Sequence, residues 1–277
     1  MSRATRPGAL IAALLLALIV AAALVVPWLS PYDYATPAWT EIFRSPTVSG
    51  GHPFGTDSLG RDLLVRVMWG CRISLLVGIA ASLLSVLIGV CWGALAGYAG
   101  GRLDGVLMRT VDVLYAIPFI PFVIVLEVAF GRNFLLVFVA IGAVSWLDIA
   151  RIVRGQTLAI REQEYIEAAR ALGVRTTTML RRHVLPNLVG LVAAYATLAI
   201  PGVILFEALL SFLGLGVHPP LASLGSLVAE GANEMQAHPY LLVLPAGFLA
   251  AIILCLNRLG DALRESLDPR GDGDGHD

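Results

Sequence analysis

Six long apolar runs decide what this chain can become. They are Ala9–Leu29, Leu75–Tyr98, Val106–Phe130, Phe134–Val153, Leu188–Leu213 and Tyr240–Leu256. Most approach the ~20 residues that a helix needs to cross the hydrocarbon of a bilayer. In lipid each backbone amide must be satisfied within its own segment, so runs of this kind fold as helices. Pro118, Pro121 and Pro201 lie inside the third and fifth runs, and membrane bundles tolerate such kinks. Composition agrees: 57% of the 277 residues are hydrophobic and 14% are charged, against about 25% charged in soluble domains. The expectation is an all-α membrane protein with six transmembrane helices.

The chain then divides at the runs. Residues 1–29 form an N-terminal tail and first anchor, and 30–74 an extracytoplasmic segment. Residues 75–258 form a five-helix core with a polar loop at 155–187, and 259–277 a tail whose end reads as disordered. Arg3 and Arg6 precede the first run, as they would in a signal peptide. That run is longer than the roughly 7–15 apolar residues of a signal sequence, so it reads as a retained anchor.

Orientation follows from the 19 basic residues, all of them arginine. With the N-terminus in the cytoplasm, only Arg44, Arg61, Arg66, Arg72 and Arg132 fall outside, and all other arginines fall inside. The positive-inside rule therefore places both termini in the cytoplasm. The lack of lysine excludes a conventional P-loop, which needs one on the phosphates. Cys71, Cys91 and Cys255 are too scattered for a disulfide framework or a metal site. A net charge of −1 gives no pull toward nucleic acid.

The polar loop holds EYIEAARALGVRTTTMLRRHVLPNL, Glu164–Leu188, on the arginine-rich side. Tyr165, Ile166, Ala168, Ala169 and Leu172 give a short helix with a small apolar face, and alanine is the best helix former. Gly173 is placed to end that helix with φ > 0. Arg175, Arg181 and Arg182 can reach acidic groups or lipid head groups, and Pro186 marks the first turn of the next span. The pattern reads as a helix offered to a groove on another protein; the plain alternative is an amphipathic helix on the membrane surface.

Other polar residues carry two readings each. Glu127 and Glu207 fall inside apolar runs, and Asp112 and Asp148 near run ends. Intramembrane carboxylates are costly and mark function, here gating or subunit contact, or else they are paired locally. Asp57, Arg61 and Asp62 outside could dock a receptor, or could form local ion pairs with Asp57 or Ser58 capping a helix toward Arg66. His52, His218 and His238 are spread over two outside segments without ligand spacing, so no metal site is expected.

The polar loop resembles the signature of membrane subunits of binding-protein-dependent ABC importers. That signature is EAA, three residues, Gly, nine residues, Ile, one residue, Leu-Pro; here it is matched at Glu167, Ala168, Ala169, Gly173, Leu185 and Pro186. His183 stands at the isoleucine position. His52–Leu75 and Glu207–Gly231 resemble the dipeptide, oligopeptide and nickel permeases, in particular the subunit type with one span before a GTD-x-x-GRD segment. The resemblance implies a type I ABC-importer permease fold in a bacterial inner membrane. It further implies a related second permease, one or two ATP-binding subunits that carry ATP and Mg, and an extracytoplasmic substrate-binding protein. No catalytic residue or cofactor is then expected on this chain. An ion-coupled carrier would call for paired broken helices or internal symmetry, and an intramembrane metalloprotease for H-E-x-x-H; neither pattern is present.

Overall fold

A computed structural model describes residues 5–48, 50–131 and 133–267. The expectations for Arg3, Arg132, Arg270, His276 and the 271–277 tail lie outside the described residues. Helix dominates what is described, and the only strand-like pairings there are the isolated bridges Thr47–His52 and Thr56–Asp62. The helices are α1 (Thr5–Leu29), α2 (Leu63–Ala99), α3 (Gly101–Tyr115), α4 (Phe119–Phe130) and α5 (Phe134–Arg161). They continue as α6 (Glu164–Ala171), α7 (Thr176–Met179), α8 (Leu185–Phe212), α9 (Leu224–Asn233) and α10 (Tyr240–Leu267). A π-turn over Leu180–Val184 joins α7 to α8, making one run from Thr176 to Phe212.

Four helices are long and apolar enough to cross a membrane, and a fifth crossing arises if α3 and α4 count together. Between 17% and 39% of each of the four apolar windows is buried inside the chain. The rest of that apolar surface is stable only against lipid or another subunit.

Three boundaries depart from the expectation. α2 begins at Leu63 rather than Leu75, because the Asp62 carboxylate accepts from the Val65 amide at 2.8 Å and caps it. The third run is two helices bent by 82°. Proline 118, without an N–H, starts α4 and restricts Ile117 before it. Two ion pairs tie α3 to α5: Arg154 grips Asp104 with two bonds of 2.6 and 2.7 Å, and Arg151 reaches Asp112 at 2.9 Å. Eight residues of α3 thus match three of α5, so α3 crosses α5 obliquely. Finally, α5 runs on to Arg161 and α10 to Leu267, past their apolar cores.

The bundle is organised around α2. Gly89, Gly93 and Gly97 form a ladder with helical spacing on its α5-facing side. A Cβ on Gly89 would sit 2.7 Å from the Ile149 Cβ, one on Gly93 2.9 Å from the Val153 Cβ, and one on Gly97 2.7 Å from the Thr157 Cβ. The two backbones therefore touch, as small residues permit in membranes. Gly93→Ala should destabilise the assembled complex by about 1–3 kcal/mol through overpacking. Gly105, whose Cβ would meet nothing within 4 Å, is the control. Thermal denaturation in detergent should show a lower midpoint for Gly93→Ala and none for Gly105→Ala; equal midpoints would contradict the contact.

Candidate functional site

The loop between α5 and α8 is built on a buried knot. Ile166, Met179, Val184 and Leu188 pack with Ala94 and Tyr98 of α2 and with Ile149 and Val153 of α5. Ile166 has no exposed surface, so α6 is pinned by its middle to two long helices. Its C-terminus closes as the glycine predicts. Gly173 has φ +77°, its amide donates to the Arg170 carbonyl at 3.0 Å, and the Val174 amide donates to Ala169 at 3.2 Å. Those two bonds are the Schellman arrangement, which needs a residue without Cβ strain at that position.

Pinning sets which face is offered. Tyr165, Ala168 and Leu172 point outward with helical spacing, and Leu172 is 85% exposed. Glu164 and Glu167 are exposed beside them in the first turn, where the helix dipole favours carboxylates. Ile166 and Ala169, expected on the offered face, instead turn inward: Ile166 is buried and Ala169 is half-buried against the same knot. Leu185 packs on the knot, and Pro186 lies in the first turn of α8. His183 lies within the π-turn, its ring 6.4 Å from that of Tyr165. Asn187 ties the pair together, donating to the His183 carbonyl at 2.6 Å and to Tyr165 Oη at 3.2 Å.

Glu207 is fully buried in α8. Ser74 Oγ of α2 donates to it at 2.8 Å and Ser211 Oγ at 2.7 Å. Ser74 also accepts from the Leu224 amide at 3.2 Å, and Ser223 Oγ donates to Ser211 Oγ at 3.1 Å. One carboxylate thus gathers α2, α8 and the start of α9, where the Ser223–Ser226 capping box begins the helix. Glu127 is buried at the side of α4, away from this cluster.

The residues expected outside form a second cluster, and it is buried. Asp57, Arg61, Asp62 and Arg66 are between 1% and 5% exposed. Asp57 does not cap α2. It accepts from the Leu59 and Arg61 amides at 2.8 and 2.9 Å, pairs with Arg61 Nε at 2.8 Å and touches Arg66. Arg66 in turn grips Glu230 of α9 at 2.6 and 3.1 Å. His52 bonds Asp62 at 2.8 Å. Side chains this deep do not offer themselves to a receptor; they shape the surface above them. Gly60, at φ +75°, lies against the Ala38 carbonyl where any Cβ would overlap it, which explains the second glycine of the segment. Tyr240 Oη closes the unit onto α10 by donating to the Thr56 carbonyl at 2.9 Å.

Residues 89–272, from the ladder through the pinned loop to α10, match the family described as the binding-protein-dependent transport system inner membrane component. The chain belongs to that family of permeases. Residues 5–46 match the N-terminal transmembrane domain of oligopeptide transport permease C. The chain is 51% identical over 263 residues to the oligopeptide transport system permease protein OppC of Escherichia coli strain K12, covering 95% of this chain and 86% of that protein. It is 49% identical to the OppC of Haemophilus influenzae over 93% of this chain and 83% of that protein. Against the dipeptide transport system permease protein DppC of Bacillus subtilis the identity is 41%, over 90% and 77%. A chain of the MetNI methionine ABC transporter in an inward-facing conformation shares the fold, with a TM-score of 0.59 at 19% identity over 73% of this chain and 96% of that one. Members of this family are the transmembrane permease subunits of such transport systems.

Glu230 and Arg66 were not legible as partners in the sequence, because 164 residues separate them. Removing one member of a buried charge cluster costs about 3–5 kcal/mol. Arg66→Met should therefore lower the thermal midpoint sharply by leaving the buried Asp57 with Arg61 alone, while the half-exposed Glu230 loses its closest partner. Arg66→Met combined with Glu230→Gln should recover part of the loss, a coupling that a double-mutant cycle reads directly. Strict additivity of the two changes would refute the pairing.

Proposed function

We propose that this permease is one of two different transmembrane subunits of an ATP-driven importer of oligopeptides. It works with one or two ATP-binding subunits and an extracytoplasmic substrate-binding protein. The peptide reading rests on the oligopeptide and dipeptide permeases to which nearly the whole chain is similar. The chain crosses the bacterial inner membrane six times, the bent α3–α4 pair and α5 each making one crossing, with both termini cytoplasmic. ATP and Mg are held by the ATPase partner.

The observation that carries the mechanism is the pinned α6. Its outward face of Tyr165, Ala168 and Leu172, with Glu164 and Glu167 beside it, enters a groove on the ATPase. Glu167, Ala168 and Gly173 act at that contact, and Ala169, Leu185 and Pro186 brace it from behind. Nucleotide-driven closure of the ATPase subunits draws the two coupling helices of the heterodimer together. Because Ile166, Met179 and Leu188 are packed on α2 and α5, the helix cannot move without those spans. The displacement opens the path outward, and hydrolysis resets it. Glu207, where α2, α8 and α9 meet, and Glu127 on α4 serve gating or the contact with the second permease. Asp57, Arg61 and Asp62 support the surface on which the binding protein docks.

Ala168→Trp and Leu172→Asp should each cut uptake and co-purification of the ATPase about tenfold or more, while insertion stays normal. Gly173→Val forces a β-branched residue into φ > 0 and should uncouple ATP hydrolysis from uptake. Glu167→Gln should cost about 1 kcal/mol or less, as exposed charges do. Normal uptake and ATPase retention in Ala168→Trp and Gly173→Val together would remove α6 from the mechanism.

Topology is tested separately, in a background without native cysteines. An impermeant thiol reagent applied from the periplasm should label Arg44→Cys and leave Thr177→Cys untouched. Periplasmic labelling of Thr177→Cys would reverse the orientation.

A further inference from the structure

Asp148 is a carboxylate that the bundle does not use. It lies in the middle of α5 rather than near its end, and its side chain is exposed. No described residue hydrogen-bonds to it or pairs with its charge. Arg151, one turn further on, is already taken by Asp112, and Arg154 by Asp104. Glu207, the buried carboxylate of α8, is satisfied by two serines.

Asp148 opens into a cavity of about 320 Å³ between α5 and α8. Tyr115, Ser145, Tyr195, Gly202 and Phe206 are among its walls, which are otherwise apolar. Tyr195 and Gly202 belong to the central turns of α8, so the cavity lies within the membrane. Tyr115 and Phe206 are 49% and 43% exposed; the cavity faces a side that nothing in this chain covers. An ionisable group at such depth is retained where it faces a water-filled cavity or the route of a ligand.

Resting on the peptide reading above, we infer that the Asp148 cavity is a site on the translocation path that takes the protonated amino terminus of the passing peptide. An α-amino group titrates near ~7.7–8.0, so a peptide arrives with an ammonium at one end. Moving that charge along apolar walls without compensation is very costly. A carboxylate with no cation of its own supplies the compensation, and the Tyr195 ring adds an aromatic face to which a cation is attracted. Tyr115 contributes less, because the Arg151 guanidinium already lies 4.5 Å from its ring. At roughly 30 Å³ for each water, the cavity's 320 Å³ has room for about ten waters, enough for one end of a peptide and too little for a whole oligopeptide. The site therefore recognises an end of the peptide, independently of its side-chain sequence.

The test uses the whole importer in proteoliposomes, with receptor and ATPase, and a peptide that the receptor captures. Asp148→Asn should lower the uptake rate about tenfold or more, the loss expected for a hydrogen bond to a charge. Receptor affinity and assembly of the complex should stay unchanged, and Asp148→Glu should retain uptake. In a background lacking native cysteines but keeping Asp148, Ser145→Cys in the cavity wall should react with a cationic thiol reagent, and peptide supplied during turnover should slow that reaction. Wild-type uptake by Asp148→Asn, or labelling that peptide does not slow, would overturn the inference. Loss of the second permease from the Asp148→Asn complex would overturn it too, making Asp148 a subunit contact. If the wild-type importer moves no peptide at all, the peptide reading itself fails, an outcome distinct from these.

Discussion

The backbone contact between α2 and α5 is the constraint on which the rest of the bundle depends. Three glycines on one face of α2 allow it, and a single Cβ would push the helices apart. In lipid there is no hydrophobic force to bring helices together, so close packing must supply the attraction. Once α5 lies against α2, Arg151 and Arg154 are placed to hold α3 across it. The same approach puts Ile149 and Val153 beside Ala94 and Tyr98, which makes the bed for Ile166. The angle of α3 and the posture of α6 thus both descend from the absence of side chains at three positions.

Charge is handled differently at the two faces of the membrane. At the end where α2 begins, Asp57, Arg61 and Arg66 meet in a buried group that the half-exposed Glu230 closes from α9. Burying these ions costs several kcal/mol each unless every partner is present, so the group specifies one arrangement of the Gly55–Asp62 segment, α2 and α9. At the other end Arg175, Arg181 and Arg182 stay exposed, and the knot that holds α6 is apolar. A fixed charge group at one end and an exposed, arginine-lined face at the other suit the two partners proposed above, a binding protein and an ATPase.

Much of this was legible in the sequence where the physics is local. The apolar runs located the long helices, and the Glu167–Pro186 pattern located the pinned loop. Gly173 was readable because a Schellman end depends on one residue's φ. The start of α2 was not, since Arg66 and Arg72 break the apolar run and their compensation comes from afar: Glu230 for one and the Ala23 and Leu24 carbonyls for the other. The break at Pro118 was visible as a proline but not as an 82° bend, because the partners that tie α3 to α5 are distant in sequence. The orientation of Ala169 was lost for a similar reason: which side of an eight-residue helix faces out is decided by where Ile166 is buried. Asp148 looked peripheral only because the apolar run ends before the helix does.

The length of α2 has a mechanical consequence. Its 37 residues make a rod of about 55 Å, well beyond the ~30 Å of bilayer hydrocarbon. The glycine contact lies near one end of that rod and Arg66 near the other. Measured from Gly93, Tyr98 is about 7 Å away along the axis and Arg66 about 40 Å. A stiff rod pivoting at the glycines therefore has arms in a ratio of roughly five to one. By that geometry a rigid tilt about the glycines that shifted Tyr98 by about 1 Å would carry Arg66 through about 5 Å, and with it the start of the Asp57 segment and the α9 residue Glu230 that are tied to it.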